Sequence, residues 1–143
     1  MTLVHATAVA LDGQGVLLLG PSGSGKSDLA LRLIDAGALL ISDDQVEVSK
    51  QGDLVVAAPP APIAGLIEAR GIGLVRLPYL ARAVMVLAVE LVAAPLIERL
   101  PEPATWTGGG VTLPLLKLDP FAASAPAKLR LALMVGPRVI MSP

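Results

Sequence analysis

Cysteine is absent from this chain and aromatic residues are scarce. The 143 residues include one Trp, one Tyr and one Phe, and no Cys. The lack of cysteine is typical of a protein in a reducing compartment, so we expect a cytoplasmic location. Three aromatic side chains and a formal net charge of −1 offer neither a stacking platform nor a basic surface. Nucleic acid is therefore excluded as an expected partner.

Charge is also scarce, yet no long apolar run is present. A membrane-spanning helix needs ~20 nearly uninterrupted apolar residues. The best candidate, Ala83–Val92, is shorter and carries Glu90. The first residues, Met1–His5, lack the positive segment that begins a signal peptide. We therefore expect no membrane partner.

The remaining composition is unusually apolar. Hydrophobic residues make up 54% of the chain and charged residues 16%, with a mean hydropathy of +0.72. This surplus indicates a sheet covered on both faces or a surface buried against other subunits. We therefore expect one domain over residues 1–143 and a homo-oligomer.

Apolar runs and turn residues outline an α/β chain. Strands are predicted at Leu3–Leu11 and Val16–Leu19, joined by a tight turn, and a helix at Asp28–Ala36 ends at Gly37. Further predicted strands are Ala38–Ile41, Val46–Ser49, Leu54–Ala58, Ala83–Val92 and Val111–Leu118. The segment Pro95–Gly110 is predicted as a loop, and Ser124–Val135 as a second helix.

The residues between the second strand and the first helix match a phosphate-binding loop at every fixed position. They are Gly20, Pro21, Ser22, Gly23, Ser24, Gly25, Lys26 and Ser27, in the pattern G-x-x-x-x-G-K-[ST]. The glycines let backbone N–H groups turn toward an anion, and the following helix adds the positive end of its dipole. Lys26 is placed to bind phosphates, and Ser27 to ligate Mg²⁺. The loop predicts a nucleotide site but does not distinguish ATP from GTP.

Two neighbouring carboxylates, Asp43 and Asp44, follow the predicted strand Ala38–Ile41. If that strand lies beside the strand that enters the loop, its end opens at the same rim as the phosphates. Adjacent carboxylates resist ionising together, which suits one of them to moving a proton. The alternatives are a solvated turn and an acidic site that only binds Mg²⁺.

Three further residues carry weaker signals. Glu68 is a candidate second carboxylate beside the metal, and Arg70 a candidate cation for the transferred phosphate. An exposed ion pair is the alternative for both. His5, the single histidine, lies in an apolar strand, where a structural role is the ordinary expectation.

Taken together, these segments resemble a known family. His5, the loop, Asp43-Asp44 and Glu68-Ala69-Arg70-Gly71-Ile72-Gly73 follow one another as in the catalytic domain of HPr kinase/phosphorylase, and the likeness extends to Ala127-Lys128-Leu129-Arg130. The resemblance implies an α/β core, a mixed β-sheet with a phosphate-binding loop, related to the nucleotide-binding fold of phosphoenolpyruvate carboxykinase. It also implies ATP and Mg²⁺ as cofactors, and a hexamer.

The resemblance implies an activity and roles for individual residues. Members of the family phosphorylate a serine of the phosphocarrier protein HPr, and catalyse the reverse attack of phosphate on phosphoserine. Asp43 or Asp44 would be the base, with His5 nearby and Lys26 on the phosphates. Ser27 and Glu68 would bind the metal, and Arg70 and Arg99 would assist catalysis. Which aspartate is the base is left open.

Two departures from the family pattern matter. The chain starts at the catalytic strand, as in a short form without the N-terminal domain. The later loop, usually rich in proline, arginine and glycine, is replaced by Asp119–Ser124, which has no cation. The expected activity is therefore protein-serine kinase, with the reverse reaction left open. A small-molecule kinase and an ATP-binding sensor or scaffold are the alternatives.

Overall fold

The computed structural model describes residues 1–135 and has mixed α/β architecture. Three strands precede the first helix and eight strands lie between the two helices, including short strands that the sequence did not predict. In chain order they are β1 (Thr2–His5), β2 (Thr7–Leu11), β3 (Gln14–Leu19), α1 (Lys26–Asp35), β4 (Leu39–Ser42), β5 (Gln45–Gln51), β6 (Leu54–Ala58), β7 (Leu66–Ala69), β8 (Gly73–Arg76), β9 (Ala83–Leu91), β10 (Thr105–Gly108), β11 (Val111–Leu118) and α2 (Ala125–Val135).

Strand β9 is the centre of one large mixed sheet. The main order of strands is β1-β5-β6-β9-β3-β2-β4. Strand β3 lies parallel to β9 along one edge, whereas β6 and β11 share its other edge. Strands β7 and β8 form a separate hairpin. The mixed α/β fold expected from the sequence is confirmed.

The predicted strand Leu3–Leu11 is wrong as a single element, because the chain changes partners at Ala6. Strand β1 pairs with β5, whereas β2 pairs with β3 and β4. At the break, the N–H of Ala6 donates to the carbonyl of Asp44 at 3.2 Å. One apolar run therefore forms two strands in different parts of the sheet, and its first strand brings His5 close to the start of β5.

The predicted loop Pro95–Gly110 is also wrong in part. Its last residues form β10, which pairs with β11 in an antiparallel hairpin. The turn consists of Gly109 and Gly110, with φ angles of 58° and 78°. The glycines that favoured a loop supply the left-handed backbone that a two-residue hairpin turn requires.

The two helices cover one face of the large sheet. Leu29 and Leu33 of α1 and Leu129 of α2 are fully buried in a cluster with side chains of β2, β3 and β9. Burying one such leucine contributes roughly 2 kcal/mol. Helix α1 ends as predicted, with Gly37 at φ 113° and its N–H donating to the carbonyl of Ile34. This packing fixes the helix that begins at the phosphate-binding loop.

Strand β4 does not lie beside β3, because β2 lies between them. Since β4 is antiparallel to β2, and β2 is antiparallel to β3, strands β3 and β4 run in the same direction. Their carboxyl ends therefore open at one rim of the sheet. The loop after β3 and the aspartates after β4 meet there, although the two strands are not neighbours in the sheet.

Within residues 1–135, the helices are too short or too polar to cross a membrane.

Candidate active site

The loop between β3 and α1 is a tight coil of backbone around the start of the helix. Gly20, Gly23 and Gly25 have φ angles of 156°, 83° and 98°. The N–H of Ser24 donates to the carbonyl of Pro21 at 3.0 Å, and Leu29 makes the first helical bond, to Gly25, at 2.9 Å. The left-handed glycine at the helix start lets the chain turn directly into α1.

The interior of this coil leaves no room for a side chain at Gly20. A Cβ added to Gly20 would lie 2.5 Å from Oγ of Ser24. That hydroxyl is buried, and nothing in the described part of the chain forms a hydrogen bond with it. A buried hydroxyl without a partner is costly unless a ligand satisfies it. The loop therefore has the shape and the free polar group of an anion cradle.

Lys26 lies across the loop rather than in solvent. It is only 7% exposed, and Nζ donates to the carbonyls of Gly20 at 2.6 Å and Pro21 at 3.0 Å. Burial lowers the pKa of Lys26, and the charges of Asp44 and Asp43 oppose this shift only in part. The ammonium is thus held at the loop by bonds that a phosphate can replace.

Asp43 is buried and accepts three hydrogen bonds. Its Oδ1 accepts from the hydroxyls of Thr7 at 2.9 Å and Ser27 at 2.7 Å. Its Oδ2 accepts from the backbone N–H of Glu68 at 3.1 Å. The carboxylate therefore joins β2, the loop helix and the β7–β8 hairpin at one point, and it lies against the hydroxyl predicted to ligate Mg²⁺.

Asp44 has different surroundings from its neighbour. Its backbone is left-handed, with φ 72°, and its side chain is 68% exposed. The Oδ1 atom lies 3.5 Å from Nδ1 of His5, because β1 ends beside the first residue of β5. The two aspartates thus contact different partners, one in the interior and one at the surface.

Most of the predicted site residues surround one cavity of about 610 Å³. It is lined by loop residues together with Thr7, Asp44, Glu68, Arg70 and Phe121. Arg99 is not among these lining residues; it follows a short helical turn at Ala94–Leu96, and the residues around it line a smaller cavity of about 220 Å³. No group of three or more His, Asp or Glu side chains placed to hold a metal occurs in the described part of the chain.

Among the lining residues that sequence reasoning missed, Thr7 and Phe121 bear most directly on the chemistry of the site. Thr7 is fully buried and donates a hydrogen bond to Asp43. The sequence feature that could have indicated it is a polar residue within the apolar run that forms β2. Phe121 is 71% exposed and lines the cavity. Its signal was the single phenylalanine placed directly after Asp119-Pro120, in a turn rather than in a core strand.

Comparison with known proteins identifies the family to which the chain is similar. Residues 1–88 match the model of the HPr Serine kinase C-terminal domain. Proteins named HPr kinase/phosphorylase are similar to about half of the chain: the one from Enterococcus faecalis is 51% identical over 75 residues, and the one from an Exiguobacterium species is 46% identical over 76. These matches cover 52% of this chain but only 24% of the relatives. The chain therefore spans about a quarter of their length.

A solved structure shares the fold over almost the whole chain. It is described as the Hpr(Ser) kinase/phosphatase from Coxiella burnetii, and it aligns with a TM-score of 0.79 at 24% sequence identity. The alignment covers 94% of this chain and 88% of that one. Since the family model matches well over half of the residues, the chain belongs to the HPr serine kinase C-terminal domain family.

Proposed function

We propose that this chain is the catalytic domain of an ATP- and Mg²⁺-dependent protein-serine kinase whose acceptor is HPr or an HPr-like phosphocarrier. The observation that carries the proposal is the composition of one cavity. A phosphate-binding loop with a buried lysine shares that cavity with the exposed carboxylate of Asp44. The family assignment and the names of the relatives supply the acceptor.

The loop fits the phosphates of a nucleotide. Among residues 1–135, no group forms a hydrogen bond with the buried hydroxyl of Ser24, and a Cβ at Gly20 would fill the coil. Nζ of Lys26 is held by two carbonyls, which it exchanges for phosphate oxygens when a nucleotide enters. Backbone N–H groups at the start of α1 complete the cradle.

The residues next to the loop fit Mg²⁺. The hydroxyl of Ser27, the carboxylate of Asp43 and the exposed carboxylate of Glu68 are oxygen donors, which Mg²⁺ prefers, and Mg²⁺ usually shares such donors with phosphates and water. When bound, the metal would neutralise phosphate charge. Asp43 orients the Ser27 hydroxyl through the 2.7 Å bond.

Asp44 is the better candidate for the base. Asp43 already accepts from three donors, whereas Asp44 is exposed and lines the cavity. In the proposed reaction, Asp44 takes the proton from the acceptor serine hydroxyl while the serine oxygen bonds to the γ-phosphorus. The bond from that phosphorus to the bridging oxygen breaks, and ADP leaves. His5 orients the Asp44 carboxylate.

Arg70 lines the same cavity as Lys26, and in this proposal it would neutralise the phosphate oxygens during transfer. Arg99 keeps its predicted role only if the acceptor or another subunit brings it to the site.

Homo-oligomer formation and a cytoplasmic location also stay predictions. The exposed apolar residues Ile72 and Leu74, 81% and 73% accessible on the β7–β8 hairpin, support association.

The test is mass spectrometry of an HPr-type phosphocarrier after incubation with the protein, ATP and Mg²⁺. We expect one phosphoserine, which disappears with Lys26→Ala. Asp44→Asn should lower the rate by about 10²- to 10⁴-fold, the usual contribution of a general base. Asp12→Asn is a matched control, because Asp12 is also an exposed aspartate with positive φ, 50°, but lies in the β2–β3 turn.

The possible outcomes separate the alternatives. Parental rates for Asp44→Asn would refute the assigned base. Bound ATP without a modified carrier would favour the sensor or scaffold, and transfer to a small molecule would favour a small-molecule kinase. Addition of inorganic phosphate to the phosphorylated carrier tests the reverse reaction by release of pyrophosphate.

A further inference from the structure

Phe121 is an exposed aromatic side chain held beside the phosphate-binding loop. It is the single phenylalanine of the chain, and it is 71% exposed. A Cβ added to Gly25 would lie 3.2 Å from Cζ and 3.3 Å from Cε1 of its ring. The ring thus covers the glycine at the start of α1 and leaves most of its own surface free.

The backbone around Phe121 is fixed rather than free. Its N–H donates to Oδ1 of Asp119 at 2.9 Å, and the N–H of Ala122 donates to the Asp119 carbonyl at 3.3 Å. The Arg32 guanidinium donates to the carbonyl of Pro120 and also pairs with Asp28 at 3.1 Å. The turn that carries the ring is therefore attached to α1, the same helix that begins at the loop.

The ring shares one cavity with the reacting groups, because Phe121, Ser27 and Asp44 all line it. Within that cavity Ser27 contacts Asp43, whereas the ring of Phe121 lies against Gly25. A triphosphate whose terminal phosphate is near Ser27 and Asp44 can therefore extend through the cavity with its nucleoside at Phe121.

We propose that Phe121 stacks on the purine base of the bound nucleotide and is thereby a substrate-binding residue of this site. The proposal rests on the proposed function, since it takes the loop to bind a nucleoside triphosphate. The loop itself contacts only phosphates, so a second group has to bind the nucleoside. Stacking on a phenyl face is tolerant of base identity, because every base has a π-face. ATP and GTP are therefore expected to use the ring alike.

Calorimetric titration with three ligands tests this assignment. ATP, GTP and inorganic tripolyphosphate are titrated, with Mg²⁺, into the parent protein and Phe121→Ala. The variant should bind ATP and GTP about 5- to 150-fold more weakly, the range expected for loss of one stacked base. Tripolyphosphate affinity should change less than about twofold, because it has no base. Leu54→Ala, an exposed apolar residue of β6 that does not line the cavity, is the matched control and should bind all three as the parent does.

Two results overturn the proposal. One is ATP affinity that is unchanged in Phe121→Ala, which would be the result if the ring contacts the acceptor protein instead. The other is an equal loss of ATP and tripolyphosphate affinity, which would mean that the ring only supports the loop. Failure of the proposed function would give different results. If the loop does not bind the nucleotide, Lys26→Ala would bind ATP as the parent does. If the protein is not a kinase for the carrier, ATP would bind but the carrier would stay unmodified.

A second variant keeps the proposal testable if Phe121→Ala does not fold. In the double variant Trp106→Phe/Phe121→Trp, the only indole replaces the phenyl ring. Stacking should quench its fluorescence with ATP but not with tripolyphosphate. The same response to both ligands, or to neither, overturns the proposal.

Discussion

The buried hydroxyl of Thr7 provides a direct test of how the site is anchored. Thr7 is 0% exposed, and its Oγ1 donates to Oδ1 of Asp43 at 2.9 Å. The same oxygen accepts a long contact from the N–H of Asp44 at 3.4 Å. Thr7→Val keeps the shape of the side chain and removes both interactions, so the change isolates the hydroxyl from the packing of β2.

The expected magnitude follows from these contacts. A hydrogen bond to a charged acceptor contributes a net ~1.5–3 kcal/mol to stability. The additional buried methyl group of valine offsets up to about 0.8 kcal/mol, and the 3.4 Å contact is too long to add much. We therefore expect the free energy of unfolding to fall by about 1–2 kcal/mol, which lowers Tm by roughly 3–8 °C.

Urea unfolding, followed by circular dichroism, measures this change. Thr107→Val is the matched control, because Oγ1 of Thr107 bonds to that of Thr112 at 2.9 Å but is exposed on β10. Its effect should stay within about 0.5 kcal/mol. If Thr7→Val is no less stable than Thr107→Val, the buried bond to Asp43 does not hold the site together, and our account of this anchor is wrong.

Three further changes test the loop. Gly20→Ala places a Cβ 2.5 Å from Oγ of Ser24 at φ 156°, so ATP affinity should fall at least about tenfold, or 1.4 kcal/mol. The control Gly52→Ala changes a glycine in an open turn and should bind ATP as the parent does. Equal ATP affinities of the two variants would contradict the proposed anion cradle. Burial lowers the pKa of Lys26 below 10.5, so the unfolded chain binds more protons than the folded chain just below that pH. The free energy of unfolding of the parent, relative to that of Lys26→Met, should therefore rise as pH approaches 10.5. A difference in stability that does not change with pH would refute this. In Ser27→Ala, EDTA should weaken ATP binding less than in the parent, and an unchanged response would remove Ser27 from the metal site.

Local turn chemistry made much of the fold predictable. The β2–β3 turn at Asp12-Gly13 has φ angles of 50° and 80°, the left-handed pair that a two-residue hairpin requires. The phosphate-binding loop and the end of α1 were predictable for the same reason, since each depends on a glycine at a fixed place. Strand β11 was predicted with its observed bounds, Val111–Leu118.

What the sequence did not indicate depends on pairing between distant segments. Nothing in the apolar run Leu3–Leu11 marks Ala6 as the point where the chain leaves β5 and joins β3. The insertion of β2 between β3 and β4 is likewise set by the register of the whole sheet. Hydrophobic alternation records which side of a strand is buried, and it carries no information on which neighbour provides the burial.

The different surroundings of Asp43 and Asp44 arise from the turn in which both lie. Successive side chains at the end of a strand point to opposite sides, and the N–H of Gln45 closes the turn on the carbonyl of Asp43 at 2.8 Å. Asp43 consequently points into the interior toward Thr7 and Ser27, while the left-handed backbone of Asp44 turns its carboxylate outward toward His5. A carboxylate that already accepts from three donors has little capacity left for an incoming hydroxyl, and a carboxylate that points to solvent does not reach the half-buried Ser27. The two adjacent residues are therefore suited to different tasks, a distinction that their positions in the sequence alone could not reveal.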